Sequence, residues 1–166
     1  MTNSNTQVAI IMGSDSDLPV VEASFAVLDS FGVKYTKNVM SAHRTPHAVM
    51  ELIKNSEDSG CKVFIAAAGM AAHLAGAVAA HSTKPVIGIP IESGGMGGID
   101  SLLSTAMMPP GVPVATVAVG KSGAKNSAIL AVQILATSDD ELAQKLVDYK
   151  ENMRKEVLEK DKKLNS

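Results

Sequence analysis

The chain has a single cysteine, Cys61, no tryptophan, and only 3% aromatic residues among its 166. One thiol cannot close a disulfide within the chain or build a cysteine-based zinc site. So few rings leave no platform on which nucleobases could stack. The charge is nearly balanced, 15 Lys+Arg against 17 Asp+Glu for a net −2, which excludes the basic footprint of a nucleic-acid partner. The opening MTNSNTQVAIIM has no cationic segment ahead of an apolar core, so no secretory leader is expected and a reducing cytoplasm is the expected location. Residues 63–80, VFIAAAGMAAHLAGAVAA, carry no Asp, Glu, Lys or Arg and approach the length of a membrane span. Their weakly apolar Ala and Gly and the central His73 fit a buried strand (63–68) and a buried helix (71–82) instead, so no membrane span is expected.

What the chain does contain is a 46% hydrophobic, 19% charged composition, enough for one domain with a real core. Apolar runs alternate with helical patterns. Strands are expected at 7–12, 34–40, 63–68, 85–91 and 113–119, with helices at 17–31, 45–58, 71–82, 98–107, 125–136 and 138–162. Gly32 and Gly60 are natural helix stops, Thr45 a natural N-cap before Pro46, and Ser138 with Glu141 reads as a capping box. The pattern is an α/β, three-layer domain with a five-stranded parallel sheet, its near-continuous apolar strands covered on both faces. The core spans about 7–137. The long last helix, with Leu142, Leu146, Met153 and Val157 on one side, either packs on its own sheet or reaches a neighbouring subunit.

In such sheets, ligands bind beyond the carboxyl ends of the strands, which directs attention to three loops. MGSDSDLP (12–19) is a small-residue turn into a helix start: Ser14, Ser16 and Asp17 could hold an anion and sugar hydroxyls, or simply cap the helix. SAHRTP (41–46) offers Arg44 as a phosphate ligand and His43 as a proton carrier, or a surface pair before a capped helix. AAAGMAAHLAG (66–76) offers Gly69 for close backbone approach, and His73 either as a polar site group or, more in keeping with its apolar surroundings, as a satisfied helix histidine. Taken together, the loops describe a pocket for a small phosphorylated molecule with a proton-transfer group inside.

GSDSD (13–17), SAHRTP (41–46), AAHL (71–74), GIDSLLS (98–104), GVPVATVAVG (111–120) and AKNSAILAVQIL (124–135) follow one another in the order seen in the N5-carboxyaminoimidazole ribonucleotide mutase family, which the chain resembles from about 7 to 150. This is the small class I enzyme family of de novo purine (IMP) biosynthesis. The resemblance implies a flavodoxin-like sheet, a homo-octamer whose C-terminal helices embrace neighbours, a ribonucleotide substrate and no cofactor. It implies that Ser14, Asp17 and Arg44 hold the ribose phosphate and that His43 is the general acid and base. Ser16, Ser41, Gly69 and His73, on the same loops, complete the residues expected against the substrate. Two positions depart from the family's GGAAHLPG: Met70 replaces Gly and Ala75 replaces Pro. The related class II enzymes, which carboxylate aminoimidazole ribonucleotide with CO2 directly, tend to read SAHKT and lack the AAHL histidine, so Arg44 and His73 point to class I. A non-enzymatic phosphometabolite sensor, a flavodoxin-type carrier and a receiver domain are the rival readings. The carrier lacks aromatics to flank a flavin, and the receiver would need an Asp where Ala68 and Gly69 stand.

Overall fold

Strand β1 (Val8–Met12) is buried at every position, which requires cover on both faces of the sheet. The computed structural model describes residues 6–165. A 3₁₀ turn (Asp15–Asp17) leads into α1 (Leu18–Phe31), followed by β2 (Tyr35–Val39), α2 (Pro46–Asp58), β3 (Val63–Gly69), α3 (Leu74–His81), β4 (Val86–Ile91), α4 (Ile99–Ala106), β5 (Ala115–Thr116), α5 (Lys121–Ala136) and α6 (Asp140–Leu164). The five strands form one parallel sheet in the order β2-β1-β3-β4-β5. This is the flavodoxin-like order, whose switch point lies between β1 and β3. β2, less apolar in sequence and half exposed in place, is an edge strand.

Strand alternation divides the core. Val8, Ile10, Met12, Ile65 and Ile87 face the layer of α1, α5 and the start of α6; Ala9, Ile11, Phe64 and Ala66 face the layer that holds Val49 and Ile53 of α2 and Leu74 and Val78 of α3. Where α1 meets α5, buried Ser24 donates to the Ala124 carbonyl at 2.8 Å, so the interior hydroxyl is satisfied. Cys61 is also interior, 1% exposed, with its thiol directed at the Val63 carbonyl at 3.3 Å and its pKa pushed up chiefly by burial.

Four expected elements differ from the structure, the first being α5, which starts at Lys121 and not at 125. β5 is two residues long, not seven. Pro113 cannot donate to a ladder, and Gly88 and Pro90 both turn their carbonyls toward β5, accepting from Val117 and Gly120. In a parallel strand the N–H follows its carbonyl's side, so the donor Pro90 lacks is one β5 would have used. The third helix starts at Leu74 because Met70, at φ 55°, breaks the chain direction. α6 is capped by Asp139, whose carboxylate accepts the Leu142 N–H at 3.0 Å, and not by Ser138, whose hydroxyl bonds back to the Leu135 carbonyl at 3.4 Å. Leu142 is buried, Leu146 packs on the core and Tyr149 meets Phe31 with ring centres 5.6 Å apart. Beyond them α6 leaves the core. Among the described residues, no helix is long and apolar enough to cross a membrane.

Candidate active site

The loops after β1, β2, β3 and β4 meet at the carboxyl end of the sheet around a cleft of about 520 Å³. Ser14, Ser16, Asp17, Ser41, His43, Arg44 and Gly69 all line it. Each loop is tied to the next.

In the first loop, Ser14 is both a cap and a cleft residue. Its Oγ accepts from the Ser16 N–H at 3.2 Å while its own N–H donates to Asp17 Oδ2 at 3.1 Å, a closed capping box. The capping reading of this loop holds, and the same residues line the cleft. Asp17 is buried, and burial, the largest effect, raises its carboxyl pKa; N–H donors from Ser14 and Gly13 oppose the rise, and the charge of Asp15 adds to it.

The second loop folds on itself. Ser41 Oγ accepts the Arg44 N–H at 3.1 Å, and Thr45 Oγ1 both donates to the Ser41 carbonyl and accepts the Ser41 N–H, each at 3.0 Å. Thr45 holds the N-cap position of α2 but spends its hydroxyl on the loop, making no side-chain cap, contrary to expectation. The result is a tight turn that projects His43 and Arg44. Arg44 Nη2 donates to the Gly13 carbonyl at 3.3 Å, which joins the second loop to the first and leaves the guanidinium's other donors exposed.

The third loop brings His73 to His43. The ring atoms His43 Nε2 and His73 Nδ1 are 2.7 Å apart, with the rings edge to face. His73 is exposed at the N-cap position of α3, not satisfied inside an apolar helix as its surroundings suggested. It is not among the residues lining the cleft and meets it through His43.

Gly69 ends β3 where a Cβ would lie 2.0 Å from Ser93 Oγ. Only glycine fits against Ser93 as it stands. Ser93, on the loop after β4, lines the cleft and was missed in the sequence; the glycine cluster after strand four, SGGMGG, was the available signal. Of the two departures from the family motif, Met70 lines the cleft and is 62% exposed, whereas Ala75 is buried on α3 away from it.

A parallel α/β sheet in the 2-1-3-4-5 order, with an arginine, paired histidines and a capped small-residue turn at its switch point, defines a small-molecule-binding domain of the flavodoxin-like type. Residues 7–156 match the AIR carboxylase family model, and the chain belongs to that family. It is 51% identical over 158 residues to the N5-carboxyaminoimidazole ribonucleotide mutase of Thermotoga maritima, covering 95% of this chain and 91% of that one. It is 49% identical over 157 residues to the mutase of Bacillus subtilis, covering 95% and 97%. The crystal structure of Treponema denticola PurE superposes with a TM-score of 0.87 at 31% identity, covering 96% of this chain and 99% of that one.

Proposed function

We propose that the protein is an N5-carboxyaminoimidazole ribonucleotide mutase, an isomerase of de novo purine biosynthesis that moves a carboxylate from the exocyclic nitrogen to ring carbon four. The observation that carries the reading is the convergence of His43, Arg44 and the Ser14–Asp17 turn on one cleft in a chain of this family. Arg44 and the Ser14 and Ser16 hydroxyls grip the phosphate, and Asp17 takes ribose hydroxyls. Ser41 shapes the turn that presents Arg44, and His73 orients His43. Binding energy from the phosphate end fixes the reacting ring in place.

His43, protonated, donates its proton to the exocyclic nitrogen as the N–CO2 bond breaks, leaving aminoimidazole ribonucleotide and CO2. Carbon four then attacks CO2 to form the new C–C bond. Neutral His43 removes the proton from that carbon, restoring the aromatic ring and its own charge. The proton count closes over the cycle, so one histidine serves both steps. Gly69, Met70 and Ala71 wall the space where CO2 is retained, and exclusion of water there prevents its loss.

The working form is a cytoplasmic homo-octamer of single-domain subunits. Two exposed apolar surfaces support assembly. Ile99 and Leu103 on α4 and Met107 at its C-cap are 57%, 53% and 76% exposed at successive turns; on α6, Val157 and Leu164 are 64% and 85% exposed.

An ultraviolet assay of the purified protein tests the activity, with N5-carboxyaminoimidazole ribonucleotide in one cuvette and aminoimidazole ribonucleotide with bicarbonate in another. Rapid formation of the 4-carboxy product in the first alone is the expected result. Rapid product only in the second would make the protein a direct carboxylase, and no product in either would return it to phosphometabolite binding.

A further inference from the structure

The turn between β3 and α3 is held from outside the cleft. Met70 is the only non-glycine residue at positive φ among those described, at 55°. A side chain in the left-handed region crowds its own backbone, so such a turn persists only where its surroundings over-determine it. The determining contact comes from α4. Ser104 Oγ lies 2.7 Å from the Asp100 carbonyl, 2.9 Å from the Ala72 N–H, and 3.3 Å from the Met70 and Ser101 carbonyls.

A hydroxyl has one proton to give. The shortest contact assigns it to the Asp100 carbonyl one helical turn back, which leaves a lone pair free to accept from Ala72. A hydroxyl already donating is a stronger acceptor, so the two bonds reinforce each other. Ala72 is 1% exposed, so water does not readily replace this partner. His73 follows Ala72 directly, and its ring meets His43 at 2.7 Å. Ser104 itself does not line the cleft.

We propose that Ser104 is a positioning residue for the reaction, locking the left-handed Met70 turn through Ala72 and thereby fixing His73 against His43. The proposal rests on the mutase reading above. Because Ser104 acts on the histidine side of the cleft and not on the phosphate loops, its removal should act on kcat and spare KM.

The experiment compares Ser104→Ala, Ser104→Thr and wild type in the mutase assay, each with and without Met70→Gly. Ser104→Ala should lower kcat by about tenfold to a hundredfold, the range that misplacing catalytic geometry by about 1 Å brings. KM should stay within about threefold, since ground-state binding is untouched. Ser104→Thr keeps the hydroxyl and should restore most of kcat. In the Met70→Gly background, where the left-handed turn is unstrained, Ser104→Ala should cost less than about threefold. If Ser104→Ala does not fold, Ser104→Cys, a poorer acceptor of similar volume, replaces it with the same split expected.

Hydrogen exchange at the Ala72 amide gives a readout independent of turnover, expected to be at least about tenfold faster in Ser104→Ala. Wild-type kcat in that variant, or the same loss with and without Met70→Gly, would overturn the proposal. A wild-type protein inactive on the mutase substrate sinks the mutase reading instead. Unchanged exchange at Ala72 then overturns the clamp itself.

Discussion

His43 Nε2 lies 2.7 Å from His73 Nδ1, although the two residues are 30 apart in the chain and stand on loops after different strands. A contact this short has one proton between two nitrogens, so one ring donates and the other accepts. Whichever tautomer is present, the partner ring restricts how His43 turns into the cleft. That is the condition a general acid and base needs before its proton can be used.

Replacing His43 by Asn removes the titratable group while keeping a polar side chain of similar reach. Turnover of the N5-carboxy isomer should fall by about 10²-fold or more, the lower end of what general acid–base groups contribute. Substrate should still bind, which calorimetry with the inactive variant can measure. A loss smaller than about tenfold would remove His43 from the proposed role.

Arg44→Ala should act on binding instead. The guanidinium has donors to spare beyond its single bond to the Gly13 carbonyl. Hydrogen bonds to a charged partner contribute about 1.5–3 kcal/mol, so KM should rise by about tenfold to a hundredfold while kcat changes little. Steady-state kinetics separates the two parameters.

Asp17 gives the fold a pH dependence of unusual sign for a carboxylate. Burial holds its folded-state pKa above the ordinary value of 3.8, so the folded protein binds this proton more tightly than the unfolded chain. Its stabilising contribution is complete below pH 3.8 and is lost as pH rises through the raised value. Asp17→Asn keeps an oxygen to accept the Ser14 N–H and cannot ionise. Melting temperatures taken from pH 3 upward should show the variant gaining on wild type across that window; a constant difference would contradict it.

On α6, the predicted apolar side divides in two. Leu142 is buried, whereas Met153 and Val157 are 42% and 64% exposed. A helical segment without tertiary packing is marginal on its own, so the outer half of α6 calls for a partner. Val157→Glu puts a charge on that face and should shift the proposed octamer to smaller species in light scattering coupled to size exclusion. An octamer unchanged by this substitution would mean that subunits meet elsewhere.

The sheet was legible because runs such as VAIIM and VIGIPI are apolar throughout, which only a doubly covered strand explains. The cleft was legible loop by loop, since order at a sheet's carboxyl edge brings GSDSD, SAHRTP and AAHL together. Pairwise events were not legible. Nothing local says that Thr45 turns back to Ser41, that Asp139 outcompetes Ser138 as a cap, or that Pro90 shortens β5 from the neighbouring strand. The contact of Ser104 on α4 with the Ala72 N–H was illegible for the same reason, and at Ser93 the SGGMGG cluster marked the loop but not its close approach to Gly69.

The one cysteine has a use beyond the packing it provides. A thiol must ionise and be reached before it reacts, and Cys61, 1% exposed with its pKa raised, is withheld on both counts. A thiol reagent therefore reacts only through molecules in which the region around β1 and β3 has momentarily opened. The labelling rate counts those openings under native conditions, without denaturant and without an introduced probe. A ligand that favours the closed protein slows the count in proportion to its binding, so the same cysteine can rank candidate substrates before any turnover is seen.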